Sequence, residues 1–218
     1  MVTPFGLRHS LLVYRLQRTA ERLDMAQALT RPLSPLAVAV LGPIPWRATG
    51  VATYVLRMHQ SGRRVAGFAQ VLKRPSAESD VLVLAPSLRA DSAAGDVWQR
   101  LLTRCAIEAG EHGVQRIFAS AAADGREVDV LRQVGFVPYT QETVYRHASG
   151  VQITAAPVAG IRAQVTSDSW AMQRLYQMVT PPVVQHAEGA LESENSGFPT
   201  LVGDAAVTLP GLRDEPGR

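Results

Sequence analysis

The chain has one cysteine, Cys105, so no intramolecular disulfide and no multi-cysteine metal site can form. Cys105 falls on the apolar side of an expected helix and reads as a small core residue. No apolar run approaches the roughly 20 residues that a membrane helix needs. The N-terminus lacks a charged-then-apolar signal pattern, so the expected location is the cytoplasm, without a membrane partner. Charge is sparse: 19% of residues are charged, and the net charge is only +3. Arginine supplies most of the positive charge but is scattered, so no basic run marks a nucleic-acid partner. His9, His59, His112, His147 and His186 show no His-x-x-x-His spacing, and no metal is expected. A Ser-His-Asp elbow, a P-loop and a dinucleotide fingerprint are all missing.

What is present suits a globular chain. At 218 residues and 46% apolar, it can bury one good core and part of a second. Leu7 to Gln17 carries Leu7, Leu11 and Tyr14 at helical spacing. Ser34-Pro35 before LAVAVL, closed by Gly42, signals a second helix. No strand is evident ahead of the first helix. Ala52–Gln60 and Val65–Arg74 form a hairpin pattern around Ser-Gly-Arg-Arg. Gly67 inside its second strand suggests a bulge or a close backbone approach. Asp80–Ala85 reads as a central strand buried on both faces, ended by Pro86.

The most informative stretch runs from Trp98 to Arg146. Trp98, Leu101, Leu102, Cys105, Ala106 and Ala109 form one buried stripe of a helix that begins at a capping box of Asp96 and Gln99. Gly113 stops that helix, and Val114–Ser120 follows as a strand. Asp124 and Glu127 open a short helix that ends at Gly135, its C′ residue. Phe136 then leads into a strand bearing Tyr139 and Tyr145. This order of elements, the Leu-Leu-x-x-x-Ala-x-x-x-Gly pattern and the Gly-Phe pair resemble the GNAT superfamily of acyl-CoA-dependent N-acyltransferases. The resemblance covers roughly residues 7–147.

It implies an α/β (α+β) fold, a mixed central sheet flanked by helices. It also implies acetyl-CoA as co-substrate, lying in a splay between the strands that end at Ala85 and Ser120. The backbone near Leu84 and Ala85 would position the thioester carbonyl. The pyrophosphate would sit on the following loop and helix start, where free amides and the helix dipole attract an anion. The residues placed there are Arg89, Ala93, Ala94, Gly95 and Val97. The loop carries one glycine and two acids, Asp91 and Asp96, which oppose a diphosphate.

The family's acid, a tyrosine four residues before Gly-Phe, corresponds here to Leu131. Substitutes are Tyr139, Tyr145 and Ser120; Asp80 and Glu78 are the carboxylates available as a base. Two functions stay open. One is transfer of an acyl group, expected to be acetyl, from CoA to a small-molecule or peptide amine by direct attack, resting on proximity. The other is a non-catalytic relative, a binding or interaction protein. An open fork and a loop with free amides are required for the first.

Residues 148–160 read as a linker. Residues 161–191 read as strand, helix, helix, the start of a second GNAT-like domain. Such a partial domain leaves an apolar face, so a homo-oligomer is expected. Residues 192–218 lack periodicity and read as a disordered tail.

Overall fold

The computed structural model describes residues 1–24, 34–42, 50–60, 62–74, 77–143, 145, 160, 162 and 164–189. The chain divides into two units: the first comprises Met1–Val137, and the second begins at Pro138. The first is α/β, an open mixed sheet with helices on both faces. Its strands are β1 (Val2–Pro4), β2 (Glu21–Arg22), β3 (Val51–Gln60), β4 (Arg63–Lys73), β5 (Glu78–Ala85) and β6 (Arg116–Phe118). Its α-helices are α1 (Ser10–Leu16), α2 (Pro35–Leu41), α3 (Ala94–Glu111) and α4 (Arg126–Gln133). The sheet order is β1-β3-β4-β5-β2, with β6 also pairing β5. All pairings are antiparallel except β5 with β6.

Strand alternation sorts the core into two layers. Leu56, Ala69, Val71 and Leu84 pack with Val97, Trp98, Leu101, Leu102 and Cys105 of α3 and Leu131 of α4. Val55, Phe68, Leu72, Val83 and Ala85 face the other way, onto Val13 of α1. Gln70 is a buried polar residue in this sheet centre, beside the buried Thr53. Its buried amide donates to the carbonyl of Pro35 at 2.7 Å and to Thr53 Oγ1 at 3.2 Å, tying α2 to the sheet.

The hairpin forms as its pattern predicts, with Gly62 at φ 78° in the turn. The close approach expected at Gly67 is present: a Cβ there would strike Val97 Cγ1 and the carbonyl oxygen of Ala85. Gly135 ends α4 at φ 102°, with the Phe136 N–H returning to Leu131 O at 3.0 Å.

Several expectations need correction. A strand does precede the first helix: Val2–Pro4 pairs with Leu56–Tyr54. It is short and holds a proline, tolerable at a sheet edge, so its pattern is too weak to read. The first helix is not continuous from Leu7: a 3-10 turn over Leu7–His9 precedes α1. Asp96 is not the cap of α3; Ala93 takes that position and Asp96 lies in the first turn. Gly125, not Asp124, stands at the N-cap of α4. Residues 137–143 are irregular rather than a strand.

In the second unit, α5 (Ser169–Val179) and α6 (Pro182–Ala187) lie where helices are expected. Of the strand expected at 161–165, residues 162, 164 and 165 are irregular, and 161 and 163 lie outside the described residues. The linker, Gly160 excepted, and the tail 192–218 also lie outside them.

Two predictions concern stability. Gly67→Ala overpacks the contact between β4 and α3 and should cost about 1–3 kcal/mol, read as a lower urea midpoint at unchanged slope. His9 is buried, and its Nδ1 accepts the Gly6 N–H at 3.0 Å. Burial, then Arg57 and Arg8, lowers its pKa below the ordinary histidine value. The fold therefore prefers the neutral ring, and its contribution is complete above about pH 6.5 and is lost as the pH falls through the depressed folded value. Denaturation from pH 7 to pH 5 should show this loss, and His9→Gln should reduce the dependence.

Candidate functional site

The site expected from the sequence lies where β5 and β6 part. The two strands run side by side at Glu78–Arg116, Ser79–Ile117 and Asp80–Phe118. The pairing of β5 with β4 then slips by one residue, since Gln70 opposes Val83 and Val71 opposes Val81. Leu82 is the extra residue, and such a bulge bends its strand. β6 ends at Phe118, leaving a fork between the C-terminal half of β5 and residues 119–120.

The closed end of the fork is ionic. Arg74 Nε and Nη2 each lie 2.6 Å from an oxygen of Asp80, and Nη1 lies 3.3 Å from Glu78. Arg116 approaches Glu78 at 3.9 Å, and the Arg74 guanidinium sits 5.2 Å from the Phe118 ring centre. Both carboxylates considered as a base are therefore held in an ion-pair network that fastens the strands together. Burial raises the Asp80 pKa above the ordinary carboxylate value, although the Arg74 hydrogen bonds act in the opposite direction.

The fork is not open. α1 runs into a 3-10 turn over Gln17–Thr19, Ala20 is extended, and the next residues enter the gap. Ser87 N–H donates to Thr19 O at 2.5 Å, and Glu21 pairs with Leu84. Leu23 N–H donates to Leu82 O at 2.9 Å, while Ser120 N–H donates to Leu23 O at 2.8 Å. One residue thus joins both arms of the fork. Its side chain is 3% exposed and belongs to the core with Leu84, Trp98 and Leu131. The Glu21 carboxylate accepts from the Ser87 hydroxyl at the mouth.

The predicted binding residues are near one another but engaged. Leu84 is paired on both edges, with Ala69 and with Glu21; Ala85 is paired with Phe68, and both are fully buried. Arg89 is exposed, and its N–H points to Ser87 Oγ at 3.2 Å. Ala93 N–H donates to Asp91 Oδ1 at 3.0 Å, and Ala94 N–H to Asp91 O at 3.1 Å. Ala90 N–H returns to Ser87 O at 3.0 Å. Val97 N–H bonds Ala93 O at 3.2 Å within the helix, and its side chain is buried. Gly95 is half-buried in the first turn. The anion at the start of α3 is the chain's own Asp91, itself 3.6 Å from Arg63. Asp96 adds a second carboxylate there, hydrogen-bonded by Gln60. Trp98 Nε1 donates to Pro86 O at 2.8 Å and pins this loop over the helix.

Leu131 is buried in the core, as its apolar chemistry requires. Tyr139 and Tyr145 belong to the second unit, and Tyr145 is 90% exposed. Ser120 does reach the fork, through its main-chain N–H bonded to Leu23. His59, His112 and His186 are exposed; His147 lies outside the described residues. No group of His, Cys, Asp and Glu among the described residues could hold a metal ion. No helix among them is long and apolar enough to cross a membrane.

Residues Thr19–Leu23 are what sequence reasoning missed. Between helix patterns, Ala-Glu-Arg-Leu-Asp offers one large apolar residue and no period, so nothing marks it as a strand. The consequence is energetic. Emptying the fork exposes Leu23, about 2 kcal/mol, and breaks several main-chain hydrogen bonds of about 1 kcal/mol each. The resulting tax on a ligand that needs the fork empty is roughly a thousandfold in affinity or more.

No protein-family model matches this chain, and no curated protein matches it either.

Burial pushes the Cys105 thiol up to about 12, with Glu108 adding to the shift. A thiol-specific reagent at pH 8 should leave the folded protein unlabelled and react once urea unfolds it.

Proposed function

We propose that this chain is a GNAT-shaped binding or interaction protein that does not transfer acyl groups. The observation that carries this reading is the chain's own segment 19–24, hydrogen-bonded to both arms of the fork where acetyl-CoA would lie. Three further features support it. Asp91 takes the Ala93 N–H on its carboxylate and the Ala94 N–H on its main-chain carbonyl, Leu131 stands where a tyrosine acid would, and Asp80 and Glu78 are bound to arginine. We extend the reading to α5 and α6, which would belong to a second GNAT-like repeat.

A second reading is an N-acyltransferase moving an acetyl group from acetyl-CoA to a primary amine. It is favoured by one feature: parallel strands that part after Asp80, followed by a loop and the 18-residue helix α3. Its cleft exists only if residues 19–24 leave.

Calorimetry with acetyl-CoA separates the two. The binding-protein reading expects no heat of binding up to millimolar ligand, and no thermal shift with CoA. Micromolar binding would overturn it and restore the transferase, with an amine screen as the next step.

A further inference from the structure

We infer that the face of the first unit formed by α1 and the outer end of the β3–β4 hairpin docks an acidic, apolar-anchored polypeptide segment of a partner protein. Arginines of both elements take its carboxylates, and Leu7, Leu11 and Tyr14 take its apolar side chains. The inference rests on the interaction-protein reading above and names the class of partner.

Charge is divided along this chain. Residues 1–77 hold eleven of the 22 Lys and Arg but only two of the 19 Asp and Glu, a net +9, and the remainder carries −6. Strand register then sorts the cations by face. Gln60 and Arg63 fall on the α3 side of the hairpin, where Gln60 bonds Asp96 and Arg63 lies 3.6 Å from Asp91. Arg57, His59 and Arg64 share the opposite face with Val55 and Phe68, and all three are exposed. None of α1, α2, β3 and β4 contains an acid. The two acids of residues 1–77, Glu21 and Asp24, lie in the fork, where Glu21 accepts from Ser87 and the charge of Asp24 bears on Asp80.

The same face continues onto α1. Val13, Leu12 and Leu16 pack its inner side on the sheet. Its outer side, with the 3-10 turn before it, exposes Leu7, Leu11 and Tyr14 by 75%, 61% and 47%, at i, i+4, i+7 spacing. Arg8, Arg15 and Arg18 are exposed around them. Helix and hairpin adjoin at His9, which the charges of both Arg57 and Arg8 reach. Among the described residues, these three arginines, Arg57 and Arg64 make no ion pair. Guanidinium forks match carboxylate and phosphate alike, so the apolar residues decide the partner. A nucleic-acid backbone would leave Leu7 and Leu11 uncovered. A bilayer-bound helix buries a long apolar face, whereas α1 turns only a short strip outward. A second copy related by a twofold would set arginine against arginine. A partner helix with an apolar stripe flanked by carboxylates complements both features of the face.

Peptide display against the immobilised full chain tests this, with random peptides of about 16 residues, roughly four helical turns, as the probe. The selected sequences should carry more Asp and Glu than Lys and Arg, placed around large apolar residues at helical spacing. The strongest of them, synthesised, should bind in solution and weaken at least about tenfold between about 50 and about 500 mM salt. Arg57→Glu with Arg64→Glu, and separately Leu11→Ser, should each lower its affinity at least about tenfold while keeping the wild-type urea midpoint. Arg100→Glu with Arg132→Glu changes net charge equally on exposed positions of α3 and α4, and should leave the affinity within about threefold. The inference is overturned if the selected peptides show no acidic excess, or if binding survives the Arg57 and Arg64 reversal. Tighter binding of a DNA duplex or of phosphatidylserine vesicles, lost on that reversal, also overturns it, as does self-association that the reversal abolishes. Acetyl-CoA takes no part in this measurement, and α1 and α3 lie on opposite faces of the sheet, so its failure is distinct from failure of the functional reading.

Discussion

Leu23 supplies a carbonyl to one arm of the fork and an amide to the other, and a side chain to the core beneath both. The rest of the sheet's architecture follows from the gap that it fills. A bulge at Leu82 turns β5 away from β6, and two diverging strands leave main-chain groups that must find partners. Water, a ligand or another strand can satisfy them. Here the chain does so itself with the segment that follows α1. The sheet therefore runs on past β5 through two short neighbours on one edge, β6 near its start and β2 near its end.

The same substitution recurs at the start of α3. A helix N-terminus presents amides and the positive end of its dipole, and an anion is the natural complement. Asp91 provides that anion from within the loop, and Arg63 answers its charge. At both places a protein group stands where a ligand group would, main chain for main chain and carboxylate for anion. Two independent fillings of the same kind carry more weight than either alone.

The parts of this fold legible in the sequence were those with long period or strong punctuation. The hairpin, the central strand, the stripe of α3 and the Gly135 stop each join a pattern to a residue with one structural use, so their signals agree. Gly67 was legible for the same reason: only a residue without a Cβ lets Val97 and the Ala85 carbonyl come so near. What stayed hidden depends on distant partners. Val2–Pro4 and Glu21–Arg22 are strands only because β3 and β5 present free edges to them. Their own residues, a proline in one and the charged pair Glu21 and Arg22 in the other, argue weakly for any structure. Asp96 was legible as a helix-start acid but not as to which turn position it takes. Ala93 takes the N-cap, with its own N–H held by Asp91 Oδ1, and that depends on the loop's path rather than on spacing.

The site followed the same division. Of the residues named from the resemblance, Leu84, Ala85, Arg89, Ala93, Ala94, Gly95 and Val97 follow one another along the end of β5, the next loop and the start of α3, because chain order sets them there. Whether they are available is a matter of hydrogen-bond accounting, which sequence order does not contain. Leu84 illustrates the point. As a strand residue it was correctly placed, yet both its edges are occupied, one by Ala69 and the other by Glu21. A backbone group can serve a ligand only while no other chain serves it. The energetic question for this protein is thus the difference between two ways of completing the same edge of β5. Leu23 decides it, because its burial is the one contribution that an extended polar ligand would not itself replace.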